Sequence, residues 1–168
     1  MTTFSSSGYV LSNGDGEGIW FLGTLMTVKA GREQTRGGFT LIEQISPPGF
    51  AAPPHVHDAE EEAFYVLEGQ LQVTCGDQTW TVNSGGFVLL PRGIPHAFSV
   101  IGGTGAAGAA GAKLLQISSP AGFEQFAAEA GEPAPSLTLP PSGQPNIPKL
   151  LAAMTKYGKR MAGAPPAG

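Results

Sequence analysis

Between residues 19 and 119 the apolar residues fall in short segments of four to seven residues, separated by glycine, proline and polar turn residues. Runs that short cannot lay an apolar stripe along several helical turns, so a chain patterned this way must bury its core with paired strands. The predicted strands are 19–22, 25–28, 39–45, 62–67, 71–75, 79–82, 87–90, 96–101 and 114–118. Glycine (25) and proline (15) make up close to a quarter of the 168 residues, near the roughly 25–30 % at which disorder is the default reading. The 41 % apolar content argues instead for tight turns around a core. Gly76-Asp77 is a two-residue hairpin signal. Leu71, Val73 and Cys75 alternate with Gln70, Gln72 and Thr74, so one face of that strand is expected to be buried, with Cys75 a small core hydrophobe rather than a reactive thiol. The expected fold is all-β, a sandwich or barrel.

The chain divides into three parts. Residues 1–18 are polar and glycine-rich and read as a loose arm, residues 19–119 as the barrel, and residues 120–168 as a C-terminal helical extension and frayed tail. Within the barrel, 102–111 (GGTGAAGAAG) has side chains too small for a core and reads as a loop between strands. Helical spacing appears at 122–130 and 147–157, with Gly131 and Gly158 as stop signals and a proline-rich connector between. A net charge of −4 gives no electrostatic footprint for nucleic acid or an anionic membrane. One cysteine excludes an internal disulfide framework and a multi-Cys zinc ribbon. No apolar run approaches the ~18 residues of a spanning helix. A cytoplasmic protein without nucleic-acid or membrane partners is expected.

All three histidines fall in two segments. In PPHVHDAEEEAFYVLEG (53–69), His55 and His57 are two apart, so on a strand both imidazoles point to one face. A carboxylate arriving from the next strand would complete a facial metal-ligand set, with Glu60, Glu61 and Glu62 as candidates. His96 lies in GGFVLLPRGIPHAF (85–98), after an intervening hairpin, and an antiparallel meander would bring it beside the other two. Phe64 and Val66 share parity with Glu62, and Phe98 and Val100 with His96. These four line either a substrate pocket beside the metal or plain barrel core.

The two segments resemble the paired signature motifs of the cupin superfamily. The first, Gly-x5-His-x-His-x3–4-Glu-x6-Gly, maps onto Gly49, His55, His57, Glu62 and Gly69; only Glu62 leaves six residues before Gly69. The second, Gly-x5-Pro-x-Gly-x2-His-x3-Asn, maps onto Gly85, Pro91, Gly93 and His96, with Val100 in place of the asparagine. The resemblance implies a double-stranded β-helix (jelly-roll barrel), here with a short C-terminal helical extension. It also implies one divalent transition metal ion (Fe, Mn, Ni, Co, Cu or Zn) on His55, His57, Glu62 and His96. Within the superfamily the chain is similar to small single-domain quercetin 2,3-dioxygenase-like members, on EAFYVLEG, the Pro-Arg-Gly-Ile-Pro-His stretch and SSPAGFEQFAAEAGEPA. That similarity implies an oxidoreductase acting on a small aromatic or enolic, flavonol-like substrate, with Glu62 as ligand and general base, and a homodimer. A metal-dependent isomerase, lyase, decarboxylase or cyclase, or a non-catalytic small-molecule binder, remain the alternatives.

Overall fold

The computed structural model describes residues 8–102 and 111–163. The first seven residues of the arm, residues 103–110 of the Gly/Ala loop and residues 164–168 of the tail therefore lie outside the described residues. Among the described residues ten strands precede the first helix: β1 (Glu17–Phe21), β2 (Thr24–Ala30), β3 (Thr40–Ser46), β4 (Ala51–His57), β5 (Glu61–Glu68), β6 (Gln70–Cys75), β7 (Gln78–Asn83), β8 (Phe87–Leu90), β9 (His96–Gly102) and β10 (Ala112–Ser119). After them come α1 (Phe123–Ala130), β11 (Glu132–Pro133), α2 (Ile147–Lys156) and β12 (Lys159–Met161). One antiparallel sheet has the order β11-β1-β2-β3-β10-β5-β8, and the other β12-β4-β9-β6-β7. Sequence neighbours thus switch between sheets, which makes the all-β jelly roll of two facing sheets.

The strands form where period-two patterning and turns agree. β6 and β7 are joined by Gly76-Asp77, with Cys75 paired to Gln78. Leu71, Val73 and Cys75 face inward as expected and pack with Phe64, Val66, Leu90, Val100 and Leu114 in the core between the sheets. Burial pushes the Cys75 thiol pKa up, in keeping with a core role. Gly69, at the corner into β6, has φ +87°, and a Cβ there would stand 2.6 Å from the Gly111 carbonyl oxygen. Only glycine satisfies both conditions.

β4 was not among the predicted strands because Pro53 and Pro54 interrupt it, and proline cannot donate to a ladder. The chain accommodates them with a register shift between Ala52 and His55 against β9. Glu17 and Gly18, read as part of the arm, belong to β1, and Gly102 ends β9.

The C-terminal segment holds both helices and also adds a strand to each sheet, which its sequence did not announce. β11 pairs with β1 (Ile19 with Pro133), and β12 pairs with β4 (Lys159 with His57). The segment therefore bridges an edge of one sheet to an edge of the other and closes that side of the sandwich. A second apolar cluster holds it there, with Phe123, Phe126, Ala153 and Met154 against Phe21, Met26 and Ile42. Glu124 anchors the start of α1, accepting from the backbone N–H of Arg32 at 2.8 Å and from the Thr40 hydroxyl. Asn146 caps α2 by accepting from the Lys149 N–H at 3.1 Å. Gly131 stops α1 through close approach rather than left-handed backbone: a Cβ there would lie 2.4 Å from the Trp20 carbonyl oxygen.

Candidate metal centre

β4 carries His55 and His57, β9 carries His96, and β5 carries Glu62. His96 lies directly opposite His55 in the β4–β9 ladder. This is not a meander: β5 and β8 pass into the facing sheet, so β9 can pair with β4 across a long stretch of sequence. For the same reason Glu62 reaches the imidazoles from the opposite sheet rather than from a strand beside them. One donor atom from each of the four residues lies within 4.8 Å of the others. The ring centroids are 5.0 Å apart for His55–His57, 4.5 Å for His55–His96 and 5.1 Å for His57–His96. His57, Glu62 and His96 are buried and His55 is partly buried.

Each imidazole turns one nitrogen outward. His55 Nδ1 lies 2.8 Å from the Pro53 carbonyl oxygen, and His96 Nδ1 lies 2.9 Å from that of Ile94. His57 Nδ1 has no well-aligned hydrogen bond; Glu60 Oε1 lies 3.2 Å away. These contacts leave the Nε2 atoms for the interior. His96 Nε2 is buried with no hydrogen-bond partner and lies 3.3 Å from Glu62 Oε2. An orphaned buried nitrogen among two more imidazoles and a carboxylate is what a bound divalent transition ion would satisfy, and the donor set fits one.

The electrostatics agree with a ligand set. Burial lowers the His55 pKa to about 4, and the neighbouring His57 and His96 charges add to that against the pull of Glu62. His55 is therefore neutral, the form that binds metal, throughout the neutral range. Burial alone would raise the Glu62 pKa. The charge of His57, the close approach of His96 Nε2 at 3.3 Å and the charge of His55 overcome it and bring the carboxyl to about 2. For His96, burial opposes the charge, but the Glu62 carboxylate 3.3 Å away outweighs it and raises the imidazole above its ordinary value.

The three consecutive glutamates separate by role. Glu62 points inward. Glu61 lies outside, taking the Arg92 Nε–H at 2.6 Å and the Arg92 backbone N–H at 2.7 Å. Glu60 is buried with Lys159, whose ammonium it accepts. Two further residues went unnoticed in the sequence. Lys159 is one. Gln116, on β10, is the other, and its Nε2 donates to Glu62 Oε1 at 2.6 Å. Gln116→Leu strips that oxygen of its donor and leaves the carboxylate free to rotate. Metal affinity should fall by about 10-fold or more, as for outer-shell partners generally, measured by competition with a chromogenic chelator.

Above the ligands lies a cavity of about 80 Å³. Phe64 and Phe98 border it, together with Phe50 of the barrel and Phe123, Phe126 and Met154 of the C-terminal segment. Val66 and Val100, grouped with Phe64 and Phe98 by parity, do not border the cavity; both are buried in the core between the sheets. Parity fixes the face of a strand but not the distance along it.

Residues 42–107 match the cupin domain family. Over 90 residues the chain is 32 % identical to quercetin 2,3-dioxygenase of Bacillus subtilis (strain 168), covering 54 % of this chain and 27 % of that protein. Over 115 residues it is 31 % identical to germin-like protein 1-1 of Oryza sativa subsp. japonica, covering 66 % of this chain and 53 % of the relative. The chain thus spans between about a quarter and a half of the length of these curated relatives. Among solved structures, Bacillus subtilis oxalate decarboxylase superposes with a TM-score of 0.54 at 19 % identity, over 70 % of this chain and 32 % of that one. That likeness concerns the fold.

Proposed function

We propose that this chain, which belongs to the cupin superfamily, is a metal-dependent, dioxygenase-like oxidoreductase acting on a small aromatic or enolic substrate. The observation that carries the reading is the convergence of His55, His57, Glu62 and His96 beside a cavity walled by aromatic rings. Similarity to a quercetin 2,3-dioxygenase over about half of the chain supports the reaction class.

Bound by these four residues, a divalent transition ion would supply Lewis-acid and redox chemistry and leave coordination positions for substrate. The protein's share is orientation and proton handling. Gln116 fixes one oxygen of Glu62, which leaves the other, Oε2, on the His96 side to take a proton from a substrate hydroxyl. The O–H bond of that hydroxyl breaks, its electron pair stays on the substrate oxygen, and the proton passes to Glu62. Glu62 is held ionised in the neutral range, so it is available to accept a proton from a hydroxyl acidified at the site. Apolar walls of Phe50, Phe64, Phe98, Phe123 and Phe126 favour a flat, apolar partner and exclude water. At about 10–15 Å³ per water, 80 Å³ admits a compact enol.

The test is oxygen uptake by protein reconstituted separately with Fe, Mn, Ni, Co, Cu and Zn, on substrates running from short aromatic enols to a flavonol. Uptake matched to substrate loss is expected, with the compact enols turned over faster. Equal conversion under argon would overturn the oxidoreductase reading in favour of an isomerase, lyase, decarboxylase or cyclase. No conversion with any metal would leave a binding protein.

A further inference from the structure

His55 and His96 have their outer nitrogens beside backbone carbonyls two residues back, so the strand that presents each ring also fixes it. His57 is the exception. Its Nδ1 faces the carboxylate of Glu60, a side chain that must itself be held. Lys159 holds it: the ammonium donates to Glu60 Oε1, the same oxygen that stands 3.2 Å from His57 Nδ1. All three side chains are buried, with Lys159 and Glu60 each 5 % exposed and His57 2 %. The β12–β4 ladder sets Lys159 directly opposite His57. A backbone bond from the Asp58 N–H to the Gly158 oxygen, 2.8 Å, keeps that register. The ammonium also lies 5.2 Å and 4.9 Å from the ring centroids of Phe123 and Phe126 on α1.

A buried ion pair contributes little net stability, because desolvating both charges offsets their attraction, and two apolar side chains would pack the same space. What an apolar pair could not do is present a fixed acceptor to His57 Nδ1. We propose that Glu60 and Lys159 are positioning residues for His57, which makes strand β12 of the C-terminal segment a working part of the metal centre. Held by the ammonium with one oxygen 3.2 Å from His57 Nδ1, the carboxylate draws the ring proton to that nitrogen, selects that tautomer and leaves Nε2 for the other ligands. Lys159 lies far outside the matched cupin segment at 42–107, so this support is supplied by the chain's own extension.

The proposal rests on the metal reading, and its test uses Co(II) on the full chain, with chelator competition for affinity and visible absorption for ligand geometry. The double variant Glu60→Leu/Lys159→Met removes both charges together and so avoids stranding either one. It should fold, yet bind Co(II) on the order of 10–100-fold more weakly than wild type, with an altered absorption band. Glu60→Gln keeps an oxygen acceptor and should lose less. Lys156→Gln, which breaks the exposed pair with Glu129 on the same segment, should match wild type in both measurements. A folded double variant with wild-type affinity and spectrum overturns the proposal. Should the double variant fail to fold, wild-type behaviour of Glu60→Gln does so. Wild-type protein that binds no Co(II) overturns the metal reading and this proposal with it, whereas binding that none of these variants changes overturns this proposal alone.

Discussion

Substituting His96 by alanine should reduce the metal content of reconstituted protein from near one equivalent to less than a tenth. His96 stands on β9, between β4 and β6 in its sheet, where neighbours on both sides prevent another side chain from moving in to replace it. Its Nε2 is buried without a hydrogen-bond partner and faces Glu62 across 3.3 Å. Losing a ligand weakens binding by more than losing an outer-shell partner, so affinity should fall on the order of 100-fold or more. Metal that binds only the folded state adds about 4 kcal/mol of stability at a free concentration 1,000 times the Kd. Wild-type protein should therefore melt at a clearly higher temperature with metal than with chelator, and His96→Ala should melt alike in both. Elemental analysis after gel filtration, paired with melting curves, measures both effects. A His96→Ala protein that retains a full equivalent of metal would show that the ion sits elsewhere.

The four residues that converge were legible in the sequence because they fall in two short segments with the spacing of the cupin motifs. His55 and His57 share a strand face, and the motif's six residues before Gly69 single out Glu62 among three adjacent glutamates. The residues supporting them were not legible, because pairing brings them in from far along the chain. Gln116 reaches Glu62 across 54 residues and Lys159 reaches Glu60 across 99. Nor did local pattern help. β3 and β10 carry apolar side chains on both faces, with Leu41 and Ile45 outward beside inward Ile42, and Leu115 and Ile117 outward beside inward Leu114. Strands patterned so give no sign that Gln44 and Gln116 are the buried members. Lys159 follows a helix and a glycine, where a lysine ordinarily reads as a solvated cation. Only the pairing of β12 with β4 puts it inside. Residues 120–168 read as an appendage for a related reason. Two- and three-residue strands leave no periodicity, yet β11 and β12 tie that segment into both sheets.

Phe64→Ala tests how far the aromatic wall of the cavity is also the core of the fold. Phe64 is 1 % exposed, and its ring meets that of Phe98 edge-on at a centroid distance of 4.9 Å. Truncating a buried phenylalanine costs about 3–5 kcal/mol, the larger values arising where the surroundings cannot collapse into the gap. Here the gap opens into an existing cavity held apart by two paired sheets, so a loss near the upper end is expected. Loss of the edge-on pair contributes about 0.5–1.5 kcal/mol of it. Against a total stability of about 5–15 kcal/mol, that removes a third or more. Val66→Ala, buried away from the cavity, should cost about 2 kcal/mol, from two methyl groups at about 0.8 each plus a small void. Urea unfolding of the metal-free proteins measures both, with the midpoint falling and the slope unchanged. A loss below about 1.5 kcal/mol for Phe64→Ala would mean that the ring belongs to the ligand space alone. The expected larger loss means that enlarging this cavity at Phe64 draws directly on the stability of the barrel.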